Sequence, residues 1–140
     1  MNMVIPNEGK LLLLGWAIRD QAFSSAGYSV VLYQNNYTPV DATTWTYFTE
    51  ATFTGYQPVN LLRSNFAPPI ILTDVAYITS SITPIFNCTG GSPQTVYGWY
   101  MYEVGTSLII AAQRFDTPRV MSSGTEEALN PFRIALKTFT

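Results

Sequence analysis

The sequence contains no histidine. That absence removes Ser-His-Asp and Cys-His catalysis and the commonest transition-metal ligand. Cysteine occurs once, at Cys88, so no disulfide can close within the chain, and a zinc site is not expected. In its Thr/Gly-rich run this thiol reads as a small packed residue. Charge is scarce as well: ionisable Asp, Glu, Lys and Arg make up 11% of the 140 residues, against about 25% in an average globular protein. The net charge is −2. The seven basic residues, Lys10, Arg19, Arg63, Arg114, Arg119, Arg133 and Lys137, are scattered. Arg114 and Arg119 flank an expected turn. Without a basic patch to meet phosphates, no nucleic-acid partner is expected.

Long hydrophobic runs are also missing. The longest, Leu11 to Ile18, is far short of the roughly 20 residues of a membrane span. Residues 1–10 carry Glu8 and Lys10 without a basic leader region, and no membrane association is expected. No G-x-S-x-G, phosphate loop, dinucleotide fingerprint or EF-hand-type calcium loop occurs. Glu50 and Glu103, each close to aromatic residues, are the carboxylates a glycosidase-type pair would draw on. In a chain that is 14% aromatic, their nearness to rings reads as chance. The expectation is a non-enzyme with no catalytic residue, cofactor or metal.

What the chain has in quantity is apolar, aromatic and neutral polar surface: 47% of its residues are hydrophobic. Neutral surface buries against a partner without desolvating charge, so an interaction role is favoured. Residues 41–58, DATTWTYFTEATFTGYQP, concentrate the trend, with five rings, six threonines and two carboxylates. Asp41 is placed to cap a short helical turn with Trp45 and Phe48 on one side of it. The whole stretch reads as an elaborated loop pinned by its rings.

One helix is expected, at about 6–19. Pro6 suits its first turn, Glu8 suits the positive end of its dipole, and Leu11 to Leu14 cover every face, which predicts burial on more than one side. Strands are expected at 28–34, 70–79, 81–87, 95–104, 107–115 and 132–139, separated by Gly, Pro and Asn. In TVYGWYMYEV (95–104) strict alternation puts Tyr97, Trp99 and Met101 on one face and Tyr100, Tyr102 and Val104 on the other. Both faces are apolar, as in a central strand buried on both sides. In the last strand Phe132, Ile134, Leu136 and Thr138 alternate with Arg133, Ala135 and Lys137. Short strands at this spacing suggest a sandwich or barrel in one domain over 1–140.

Five segments, taken in order, carry a resemblance: IPNEGKLLLLGWAI, VVLYQNNYTP, YFTEATFTGYQPVNL, VYGWYMYE and AAQRFDTPRVMSSGTEEALNPFRIAL. Together they span nearly the whole chain. It resembles small virion structural proteins of tailed bacteriophages, of the capsid-decoration or minor-capsid kind. The chain departs from that pattern at Met101, Met121 and Glu126-Glu127, which bears on the turn near Gly124. The resemblance implies an all-β fold, a single jelly-roll-like β-sandwich with one N-terminal α-helix. It implies a protein of the virion, on the capsid surface and made in the bacterial cytoplasm, that binds the major capsid protein and itself as a homotrimer. The contact surfaces expected are Leu11, Leu12, Leu14 and Trp16 on the helix, and Trp45, Tyr47, Phe53 and Tyr56 in the 41–58 loop. The alternative is a receptor- or glycan-binding module of a tail or head fibre. In that reading Trp99 and Tyr102, with Trp45 and Tyr47, form a stacking platform.

Overall fold

A computed structural model describes residues 3–19, 22 and 24–137 of the chain. It is mostly β-strand in sheets, with one α-helix. Helix α1 spans Asn7–Ile18, with Pro6 at its N-cap in extended conformation rather than in its first turn. Among the described residues the strands are β1 (Tyr28–Tyr33), β2 (Val59–Leu61), β3 (Ile70–Leu72), β4 (Val75–Thr79), β5 (Ile85–Asn87), β6 (Gln94–Glu103), β7 (Ile109–Met121), β8 (Glu126–Ala128) and β9 (Arg133–Lys137). They form a four-stranded sheet in the order β2-β1-β6-β7, a three-stranded sheet β3-β4-β9 and the pair β5-β8. Every pairing is antiparallel.

The four-stranded sheet is buried on both faces at its centre, where every residue of β1 is buried, while β7 becomes exposed toward its end. On one face Val30, Leu32, Trp99 and Met101 join a cluster with Leu12 of α1, Phe86 of β5, Ile134 of β9 and Phe132 just before it. On the other, Val31, Tyr33, Tyr100 and Ala112 pack with Phe48 from the 41–58 loop. The loop therefore covers the second face through Phe48, while its Ala51 and Phe53 join the first cluster. Phe48 stacks on Tyr100 with ring centroids 4.4 Å apart. The Gln94 side-chain oxygen accepts from the Thr52 and Phe53 N–H groups, and Gln94 also bonds Gln34. These polar ties take up backbone donors that the loop's lack of regular structure would otherwise leave open.

Helix α1 differs from its expectation. It is buried along one stripe of Gly9, Leu12 and Gly15, with Trp16 partly covered, and not on several sides. Gly9 explains the geometry. A Cβ there would lie 2.5 Å from the carbonyl oxygen of Ile110, so only glycine lets the helix settle on the backbone of β7. The Glu8 carboxylate accepts from the Ile109 N–H at 3.1 Å and fixes the helix start to the same strand. With the helix pressed on one line, Leu11 and Leu14 are left outside, Leu11 at 71% exposure.

Four strand expectations are also corrected. Residues 70–79 are not one strand but a hairpin, turning at Thr73 and Asp74, both left-handed (φ 50° and 62°). β7 runs to Met121, through the Arg114–Arg119 stretch expected to flank a turn. Pro118 is tolerated because β7 is an edge strand, where a missing N–H breaks no ladder. Residues 81–87 are extended only from Ile85, and the short β2 and β8 lie where no strand is expected. β6 itself does not alternate strictly. Its register against β7 jumps between Val96 and Gly98, so Tyr97 packs with the Tyr100 cluster while Val96 joins the Trp99 side. The turn at Gly124 forms through Ser122 and Thr125, whose hydroxyl accepts from Ser122 N–H and donates to Ser122 C=O. In the last strand the alternation holds for Phe132, Arg133 and Ile134, but Leu136 is exposed; Thr138 and Phe139 lie outside the described residues.

Candidate functional site

Two kinds of surface could act on another molecule: exposed apolar faces and a cleft lined by rings. Three consecutive large apolar residues are exposed at the β3–β4 hairpin. Ile70, Ile71 and Leu72 are all exposed, Ile71 at 74%, and every residue of β4 is half-buried. Both faces of this three-stranded sheet are thus partly open, and β3 is an edge of it. No charged residue lies between Arg63 and Asp74. Edge strands are ordinarily blunted with charge or covered; here Pro68 and Pro69 precede the strand but nothing charged sits on it. The sequence signal, the run Ile-Ile-Leu after Pro-Pro, is visible but merges into one long strand when read by itself.

The expected contact residues divide. Leu11 and Leu14 stand on the outer side of α1, while Leu12 is in the core and Trp16 packs against it, its ring 6.2 Å from that of Tyr28. Leu12 is therefore not available to a partner. In the loop, Trp45 and Tyr47 are exposed, Tyr47 stacking on Tyr37. Phe53 is buried in the core and is corrected as a contact residue. Tyr56 is partly buried under the loop, where its hydroxyl accepts from the Leu32 N–H at 3.2 Å. Asp41 does not cap the short helical turn, which spans Trp45–Tyr47 behind Thr44 with no side-chain cap. Asp41 instead pairs with Lys10 at 3.1 Å, and its carbonyl accepts from the Asn7 N–H. Trp45 and Phe48 fall on opposite sides of the turn, one exposed and one buried.

Trp99 is 4% exposed, edge-on to Phe132 with centroids 4.9 Å apart. It offers no open ring face, so the stacking platform through Trp99 is withdrawn. Tyr102 lies on the other face of the sheet, half-buried, in a cleft with Trp45, Glu50, Tyr100 and Ser107. The structure thus unites Trp45 with Tyr102 but separates both from Trp99.

The carboxylates Glu50 and Glu103 do not converge. Glu103 is opposite Tyr28 on the Trp99 face and is buried, one oxygen accepting from the Thr106 hydroxyl at 3.2 Å. Glu50 bridges to Tyr33 on the Tyr100 face. Burial raises the Tyr56 and Tyr100 hydroxyls well above the ordinary phenol value, and the nearby Glu50 charge adds to it. Burial likewise raises Tyr33. Cys88 is buried, its thiol 3.4 Å from the Gly90 carbonyl. Among the described residues no group of three His, Cys, Asp or Glu side chains gathers, and no helix is long and apolar enough to cross a membrane.

No family model matches this chain, and no curated protein is significantly similar to it.

Proposed function

We propose that this chain is a virion structural protein of a tailed bacteriophage, a capsid decoration or minor capsid protein that binds the major capsid protein and other copies of itself as a homotrimer on the capsid surface. Its sheets would form a jelly-roll-like β-sandwich with α1 on the outer strand. The observation that carries the reading is the uncharged, outward-facing apolar hairpin Ile70, Ile71 and Leu72. Apolar patches of this kind on a small domain mark surfaces that another chain covers. Leu11 and Leu14 on α1 and Trp45 and Tyr47 on the loop supply further neutral contact area. Repeated weak contacts of such area become strong when many copies sit on one particle.

Co-expression with the major capsid protein of the same virus tests it. The chain is expected to sediment with assembled heads and to raise the temperature at which they open. Heads that sediment without it, at unchanged heat stability, would overturn the assignment.

A further inference from the structure

The cleft lined by Trp45, Glu50, Tyr100, Tyr102 and Ser107 has a volume of about 140 Å³, and assembly does not account for its chemistry. Each wall is held in place. Tyr100 is fixed from behind by its stack on Phe48, with ring planes 9° apart. Tyr102 sits beside it on the same face of β6, centroids 6.2 Å apart. Trp45 is presented by the 45–47 turn, closed by Tyr47 N–H to Thr44 C=O and Phe48 N–H to Trp45 C=O, both 3.1 Å. Its indole is 55% exposed.

Glu50 is equally positioned. Its backbone pairs with Tyr33 and its carbonyl accepts from Gln34 Nε2 at 2.8 Å. Ser107, on the far rim, is left-handed at φ 58°, a conformation that costs energy for a residue with a side chain and so must be held by its surroundings. No lysine or arginine lines the cleft. The result is a small space of mixed polar and apolar lining, with the exposed Trp45 and half-buried Tyr102 rings on it, the buried Tyr100 ring behind them and one carboxylate. A neutral sugar could use the polar groups of Glu50, Tyr102 and Ser107 but would gain no charge attraction from the carboxylate. A cation with an apolar shell is attracted by ring quadrupoles and carboxylate together.

We infer that this cleft binds an organic cation, an alkylated ammonium group of the choline class. The assignment does not rest on the capsid reading and is made for the free chain, in which Trp45 is uncovered. The test titrates the full chain with choline, with its uncharged carbon isostere dimethylbutanol, and with methyl glucoside at constant ionic strength. The readout is the Trp45 indole signal in two-dimensional NMR spectra. Choline is expected to shift that signal saturably and to bind about three- to tenfold more tightly than dimethylbutanol, the range a partly exposed cation–ring contact gives. Glu50→Gln, which keeps shape and removes charge, is expected to weaken choline by a similar factor. Trp45→Ala, at an exposed position, is expected to abolish binding, read from the Glu50 and Ser107 backbone amide signals because the indole is gone, with an unchanged circular-dichroism spectrum. Equal affinity for choline and dimethylbutanol, tighter binding of methyl glucoside, or no saturable shift at Trp45 would each overturn the inference.

Discussion

At the residue scale, close approach dictates Gly98. A Cβ at Gly98 would lie 2.2 Å from the Gln113 carbonyl oxygen and 2.5 Å from the Tyr33 hydroxyl. Gly98→Ala must push β6 and β7 apart where their register already jumps. A loss of about 1–3 kcal/mol is expected, the usual cost of overpacking, read from the denaturant midpoint. Leu12 and Leu11 are neighbours in a run of four identical residues, yet they face core and outside. Leu12→Ala is expected to cost about 2–5 kcal/mol as a core truncation, whereas Leu11→Ala should stay within about 0.5 kcal/mol in the isolated chain. A run of leucines has no period, which is why the sequence leaves the buried stripe open. Gly9 and Gly15 mark it in retrospect.

Tyr33, Tyr56 and Tyr100 add a pH prediction at the same scale. Burial, the first cause for each, raises their folded-state values above the ordinary 10.0. A hydroxyl with a raised folded value binds its proton more tightly in the fold. Its contribution is therefore complete below pH 10 and is lost as pH rises above it. Alkaline titration should give a tyrosinate absorbance in which these three appear only together with loss of ellipticity. Full ionisation of every tyrosine in a still-folded chain would contradict the burial of Tyr33 and Tyr100.

At the scale of elements, the β3–β4 turn stands out. Thr73 is β-branched, and both it and Asp74 occupy the left-handed region, where a side chain costs roughly 1–2 kcal/mol. Two-residue hairpins of this hand favour Asn-Gly. The double change Thr73→Asn with Asp74→Gly is expected to stabilise the chain by about 1–2 kcal/mol, measured by thermal melting. No gain would mean the turn relaxes to another form. The reason 70–79 reads as one strand is the same: Thr-Asp is not a turn signal, and β-branched residues run through it. β6, by contrast, was legible within a residue at each end, because six of its ten residues carry rings or β-branched side chains. Its irregularity at Val96–Gly98 was not, since that jump is set by β7 and not by β6's own pattern. Pro118 misleads in the same way. It reads as a turn until β7 is known to be an edge.

At the scale of the whole molecule, the chain covers its main sheet from both sides and leaves its second sheet partly open. The helix and the 41–58 loop both go to the four-stranded sheet, Phe48 and Phe53 facing in and Trp45 and Tyr47 facing out. The loop's inward and outward rings could not be told apart from the sequence, because Thr and aromatic residues alternate there without a strand or helix period. The general expectation of a β-rich chain with one N-terminal helix was legible from composition and punctuation. The open hairpin was not, because exposure of Ile70, Ile71 and Leu72 depends on which strand ends the sheet.

We predict that other copies of the chain cover this open apolar surface. The most direct measurement is the molar mass by light scattering behind a sizing column, taken for the native chain and for Ile71→Asp. The native chain is predicted to run as a closed oligomer of three times its 15.6 kDa mass, and Ile71→Asp, exposed and so harmless to the fold, as a folded monomer. A native chain that stays at 15.6 kDa at every concentration, or an Ile71→Asp variant that assembles unchanged, would contradict the account.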